Sequence, residues 1–184
     1  KEVFFSRMRN HIHTVVNRYK DVVYCWDVVN EAITDDPRAE DPYRQSQLYK
    51  IAGDEFIAKA FEYAHEADPN ALLFYNDYNE YQTSKQDDII TMLKPIAAAD
   101  NIDGMGMQSH ISSGLNVDNY VEAAKRYADE LGVVIHITEL DIRLNEEMGG
   151  QLQFSRGTEG TVGDGNFNEY FVSANPIILS SKPG

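Results

Sequence analysis

Apolar residues recur at helical spacing in four stretches of the chain and crowd together at strand-like density in four others. Phe4, Met8, Ile12, Val15, Val16 and Tyr19 return every three or four residues and predict an amphipathic helix. The run VVYCWDVV, 22–29, follows as a buried strand. Phe56, Ile57, Ala60, Phe61 and Ala64 form a second helical face, and ALLFY, 71–75, a second strand. Ser84 with Asp87 reads as an N-cap and its N3 carboxylate, opening a third helix with Ile89, Ile90, Leu93 and Ile96 inward. DGMGMQ, 103–108, is a third strand. Val117, Tyr120, Val121, Ala124, Tyr127 and Ala128 mark a fourth helix that Gly132 ends, and VVIHIT, 133–138, a fourth strand.

Strands that are apolar throughout and alternate with helices predict an α/β fold, with a parallel sheet covered by helices. The later strands start about thirty residues apart, one βα unit each. The first interval is lengthened by a loop at 34–53, whose acidic part, ITDDPRAEDPYRQS, reads as a solvated connection. Open doubly wound sheets and closed barrels both fit this pattern. Past Arg143 the periodicity disappears, and seven of the twelve glycines lie in 149–184. That tail is expected to be irregular, with one short strand at NPIILSS, 175–181.

The 184 residues suffice for one domain with a substantial core. A net charge of −14 argues against nucleic acid and anionic membranes, which are bound through Lys and Arg. No apolar run approaches the roughly 20 residues of a membrane helix. The single cysteine, Cys25, excludes an internal disulfide and reads as a small buried hydrophobe. The chain begins at Lys1 with no secretion signal, as expected of a processed or internal piece.

Each strand runs into polar residues: Asn30-Glu31, then Asn76-Asp77-Tyr78-Asn79, then Gln108-Ser109-His110, then Glu139 and Asp141. In a parallel sheet all four of these ends lie on one edge, the edge where α/β active sites sit. Paired carboxylates without a His/Cys cluster point to acid–base work on a carbohydrate, needing no cofactor and no metal. A carboxylic acid protonates the glycosidic oxygen. A second, ionised carboxylate meets the positive charge that develops at the anomeric carbon.

WDVVNEA, YNDYN, DGMGMQSHI and ITELDI, in that order, resemble the fourth to seventh strands of glycoside hydrolase family 10. RMRNHIHTVVNRYKD and YAHEADPNA resemble it too, so the likeness covers 1–156 and leaves 157–184 unassigned. It implies a (β/α)8 TIM-type barrel, of which about four βα units are present, with the first three strands and the eighth not found. It further implies a retaining endo-β-1,4-xylanase acting on xylan or xylo-oligosaccharides, outside the cell or at its surface. By the same resemblance Glu31 is the acid/base and Glu139 the nucleophile. Asn30 holds the sugar 2-hydroxyl, His110 hydrogen-bonds the nucleophile and Asp141 orients its ring. Gln108 lines the same subsite, and Tyr78 shapes the leaving-group side. Glu31 must start protonated while donors keep Glu139 ionised. Half a barrel exposes two sheet edges and an interior face, which association with another chain would cover. Two other functions stay open: a cellulase or mixed-linkage glucanase of a related barrel family, and an inactive sugar-binding remnant.

Overall fold

The structure, a computed structural model, describes residues 1–143. The tail from 157 and the strand expected at 175–181 lie outside the described residues. Four parallel strands form the sheet: β1 (Cys25–Asn30), β2 (Leu72–Asp77), β3 (Gly104–Met107) and β5 (Val134–Ile137). Their order is β1-β2-β3-β5, so every strand pairs with its predecessor and the winding never reverses. A doubly wound sheet reverses at a switch point. This one does not, which is how barrel strands are laid down.

Helices α1 (Glu2–Tyr19), α3 (Glu55–Ala67), α4 (Thr83–Ala98) and α5 (Val117–Leu131) supply the covering layer. Leu73, Tyr75, Met105 and Met107 form the sheet's half of the core, and Phe61, Ile57, Ile89 and Leu93 the helices' half. Each is at most 1% exposed, so each contributes about 1.5–3 kcal/mol of burial before entropy is counted. The opposite face of the sheet carries Phe74, stacked on His136 with ring centroids 4.3 Å apart. Gly104 is required beneath that ring, since a Cβ there would stand 1.9 Å from a Phe74 carbon.

Several boundaries differ from the sequence pattern. The first strand starts at Cys25 rather than 22, because Asp21 turns left-handed (φ 73°) and Val22 and Val23 both donate to the Tyr19 carbonyl. Val22 is 80% exposed in consequence. Cys25 is half-buried rather than buried. Ser84 is not the N-cap of α4. Asn79, at φ 55°, bends the chain early, Gln82 becomes the cap residue, and no side chain closes it. On α5 the buried stripe is Ala123, Tyr127 and Leu131, while Val117 and Val121 face solvent. Gly132 ends that helix in the left-handed conformation, as its position suggested.

The loop after β1 is more than a solvated connection. Ile33 and Tyr43 form an antiparallel bridge, and Arg44 N–H donates to the Ala32 carbonyl at 2.7 Å. The loop therefore returns alongside Glu31. It then enters α2 (Gln47–Ala52), capped by the Ser46 hydroxyl accepting from Tyr49 N–H. A six-residue helix is too short to show periodicity. Two further short strands, β4 (His110–Ser112) and β6 (Asp141–Arg143), pair in parallel beyond the ends of β3 and β5.

Candidate active site

The C-terminal ends of the four sheet strands share one rim, and main-chain bonds tie the site residues to it. Glu31 N–H donates to the Asn76 carbonyl at 2.9 Å, and Glu139 N–H to the Gln108 carbonyl at 3.1 Å. Pairing of β4 with β6 sets His110 directly opposite Asp141. Three residues here adopt left-handed backbone: Glu31 (φ 54°), Asn79 (φ 55°) and Ser109 (φ 63°). For a β-unbranched acidic residue such a conformation is uncommon and strained. At Glu31 it turns the side chain off the strand's alternation and over the rim.

Two carboxamides bridge the acidic groups. Gln108, 2% exposed, donates through Nε2 to Asn30 Oδ1 and to Glu31 Oε1, each at 3.1 Å. Asn76 Nδ2 donates to the same Asn30 oxygen at 3.0 Å and to Glu139 Oε1 at 2.8 Å. Thr138 Oγ1 donates to Asn76 Oδ1 at 2.7 Å, which fixes the orientation of that amide. Glu31 and Glu139 are thus held around one acceptor, Asn30. Both remain accessible, with side chains 32% and 43% exposed.

His110 Nδ1 lies 2.7 Å from Asp141 Oδ2, and Nε2 lies 3.4 Å from Glu139 Oε2. Burial alone would lower this imidazole, but the Asp141 and Glu139 carboxylates outweigh it and hold His110 above its usual value. Tyr78 sits on the other side. Its hydroxyl bonds Asp35 and accepts from Arg44 at 3.2 Å, and Arg44 reaches Glu31 Oε2 at 3.7 Å. Beneath them Lys85, 4% exposed, pairs with Asp77 at 2.9 Å and Asp35 at 2.7 Å. Asp77, fully buried, also accepts from the Tyr75 hydroxyl and from Tyr78 N–H. Tyr75 in turn accepts from Ala32 N–H at 2.9 Å, closing the network back onto the residue after Glu31.

All seven residues singled out in the sequence reach this rim. Glu31, Asn30, Gln108, Glu139, His110 and Asp141 are joined by direct contacts; Tyr78 is joined to Glu31 through Arg44. Asp77 hydrogen-bonds under the rim, whereas Asp27 lies exposed on the open face of the sheet. Asn76, Arg44, Asp35, Lys85 and Thr138 were not assigned a role from sequence. Asn76 stands at a strand end and was findable; a lone arginine in an acidic loop and a lysine on an amphipathic helix carry no signal.

The Glycosyl hydrolase family 10 model matches residues 1–161. The chain belongs to glycosyl hydrolase family 10. Its match to the family runs five residues beyond the stretch legible by resemblance. An endo-1,4-beta-xylanase/feruloyl esterase of Xylanibacter ruminicola is 53% identical over 168 residues, covering 85% of the chain and 23% of that relative. A psychrophilic glycoside hydrolase family 10 endo-beta-1,4-xylanase superposes with a TM-score of 0.73 at 52% identity, over 78% of the chain and 46% of the other. An intracellular xylanase of Thermoanaerobacterium saccharolyticum superposes at 0.71 and 39% identity, over 77% of the chain and 45% of its own. The chain thus spans less than half the length of these relatives. As a family 10 sequence its four-stranded sheet is part of a (β/α)8 barrel, and the rim described above is the barrel's C-terminal face.

Proposed function

We propose that this chain carries the catalytic half of a retaining endo-β-1,4-xylanase. The observation that supports this most is the amide bridge. Gln108 and Asn76 both donate to the Asn30 oxygen, and each also grips one of the two carboxylates. Such a span suits the short separation at which the second carboxylate itself attacks, rather than the longer one that admits a water.

In this scheme Glu31 protonates the glycosidic oxygen as the bond to the leaving sugar lengthens. Glu139 attacks the anomeric carbon from the other face, forming a glycosyl ester. Glu31, now ionised, takes a proton from an incoming water, which displaces Glu139 and restores both groups. Asn76 and His110 hold the Glu139 oxygens, so the nucleophile is presented in one orientation. Asn30, whose oxygen accepts from both amides, would donate through Nδ2 to the 2-hydroxyl of the reacting sugar, a contact that strengthens toward the transition state. Arg44 fixes Tyr78 beside Glu31, where the leaving sugar must sit. Xylan is a polymer too large to be imported whole, so the proposed place of action is outside the cell; a relative described as intracellular keeps short xylo-oligosaccharides as the alternative substrate.

The test compares hydrolysis of xylan and carboxymethyl cellulose while following the anomer first released by proton NMR. Faster cleavage of xylan with release of the β-anomer is expected. Faster cleavage of the cellulose derivative, or an α-anomer product, would overturn the assignment, and no turnover of either would make the chain a non-catalytic relative.

A further inference from the structure

One turn organises the whole site. Gln108 reaches Asn30 and Glu31 with its side chain and takes Glu139 N–H with its carbonyl. Ser109 takes Asp141 N–H with its carbonyl, at 3.3 Å, and His110 faces Glu139 and Asp141 with its ring. Ser109 makes this turn in left-handed backbone, a conformation that costs a non-glycine residue of order 1–3 kcal/mol. Something must hold it there.

The holding groups come from below. Ser109 Oγ donates to the Met107 carbonyl at 3.0 Å, which leaves the Tyr120 hydroxyl to donate to Oγ. Ser109 N–H donates to Glu80 Oε1 at 3.3 Å. Glu80 is fully buried, and its own carbonyl accepts from the Tyr127 hydroxyl at 2.8 Å, pinning its backbone to α5. Its second carboxyl oxygen, Oε2, is buried without a hydrogen-bond partner among the described residues. Catalysis by Glu31 and Glu139 leaves this acid unused.

We propose that Glu80 is a positioning residue: its carboxyl, by accepting Ser109 N–H, locks the Gln108–Ser109–His110 turn that presents Gln108 to Glu31 and His110 to Glu139. The inference rests on the reading of Glu31 and Glu139 as the reacting pair. Charge is handled by burial. Desolvation pushes the Glu80 acid up to about 7, against the opposing pull of its own and the Ser109 amide. Asp77 from β2 adds to the rise and Lys85 from α4 opposes it. The phenols of Tyr120 and Tyr127 face it from α5, both themselves held above the usual tyrosine value by burial first. Below that pH the group is a neutral carboxyl whose carbonyl oxygen serves Ser109 as an amide oxygen would. Glutamine therefore reproduces it; methionine keeps the volume and removes the acceptor.

The experiment is NMR on the full chain. With 13C-labelled glutamate, the Glu80 carboxyl carbon should titrate near 7, and the Ser109 amide should move with the same midpoint. A Ser109 amide blind to the Glu80 titration overturns the proposal, and that readout needs no variant. Glu80→Met should then lower protection of the Ser109 amide from exchange by about fivefold to tenfold, the equivalent of one net hydrogen bond. His110 in Glu80→Met should titrate closer to the ordinary histidine value. Glu80→Gln should restore both. Equal behaviour of the Met and Gln variants would reduce Glu80 to a space-filling side chain and refute the role. None of these readouts uses turnover, so they stand or fall separately from the xylan assay.

Discussion

Lys85→Met removes the one cation, among the described residues, that enters the buried layer beneath the rim. Lys85 is 4% exposed and Asp77 not exposed at all, with 2.9 Å between their charged atoms. Deleting one partner of such a pair leaves the other charged and unpaired, at a cost of about 3–5 kcal/mol. Methionine keeps an unbranched stem and loses only the ammonium, which stands 4.3 Å from the Tyr78 ring centroid, so the loss reports charge more than volume. Against a typical stability of about 5–15 kcal/mol this is a large fraction. The pH dependence carries the sign. Burial already holds Asp77 above its ordinary value, and Lys85 opposes that rise. Without Lys85 the folded value climbs further above the unfolded one, so the variant binds an extra proton on folding. Its stability is then greatest at low pH and falls as pH rises through the folded value. Urea unfolding followed by far-UV circular dichroism, at about pH 5 and about pH 8, should show a wider gap to the parent at the higher pH. Adding Asp77→Asn should recover part of the loss, because the amide carries no charge and its one oxygen still accepts from Tyr78 N–H, although the oxygen that takes the Tyr75 hydroxyl is replaced by an NH2 group. A loss under about 1 kcal/mol, one independent of pH, or no recovery in the double variant would refute the reasoning.

Other expectations follow from the same contacts. Glu139→Gln should abolish cleavage of every β-linked substrate, whereas Glu31→Gln should still cleave aryl glycosides with good leaving groups, which need little protonation; equal loss in both, measured by released phenol, would remove the acid/base assignment. Gly106→Ala should slow turnover without touching a carboxylate, since its Cβ would stand 2.5 Å from Asn76 Oδ1 and displace the amide that grips Glu139, and unchanged steady-state kinetics would count against the bridge. Asp141→Asn should lower the His110 titration seen by NMR; as a histidine raised on folding, His110 contributes stability below the unfolded value that disappears as pH rises through the folded one, a small effect for a ring 39% exposed.

Much of the layout was legible because period and density are local properties. Ile89, Ile90, Leu93 and Ile96 are all buried on α4, and Phe56, Ile57, Ala60, Phe61 and Ala64 on α3, where the pattern put them. Where the pattern erred, a local backbone event decided: the left-handed Asp21 consumed Val22 and Val23 in a turn, and after the left-handed Asn79 the cap of α4 fell at Gln82 instead of Ser84. On α5 two valines of a wide apolar stripe lay beyond the reach of the core. The choice of a barrel over a doubly wound sheet was not available from period at all, since it depends on the order of strands and not on their composition. In the site, residues at strand ends announced themselves. Arg44 did not, because a bridge between Ile33 and Tyr43 brings it to Glu31, and pairing between loop residues leaves no periodic trace. Glu80 was equally silent: an acid in a polar loop looks solvated until α5 is laid over it.

The glycines of β3 have a consequence for stereochemistry. Three strand spacings separate β1 from β5, roughly 14 Å along a flat sheet, yet a retaining enzyme needs its carboxylates only about 5 Å apart. Under the proposed chemistry the sheet must curl to bring Glu31 and Glu139 together, and curling crowds its concave side. Gly104 and Gly106 relieve that crowding by giving Phe74 and Asn76 room to lean inward. Substituents there would flatten the arc and widen the gap, toward the distance at which water, not Glu139, reaches the anomeric carbon. Under the proposed chemistry, two missing methyl groups help decide whether the product keeps the configuration of its parent sugar.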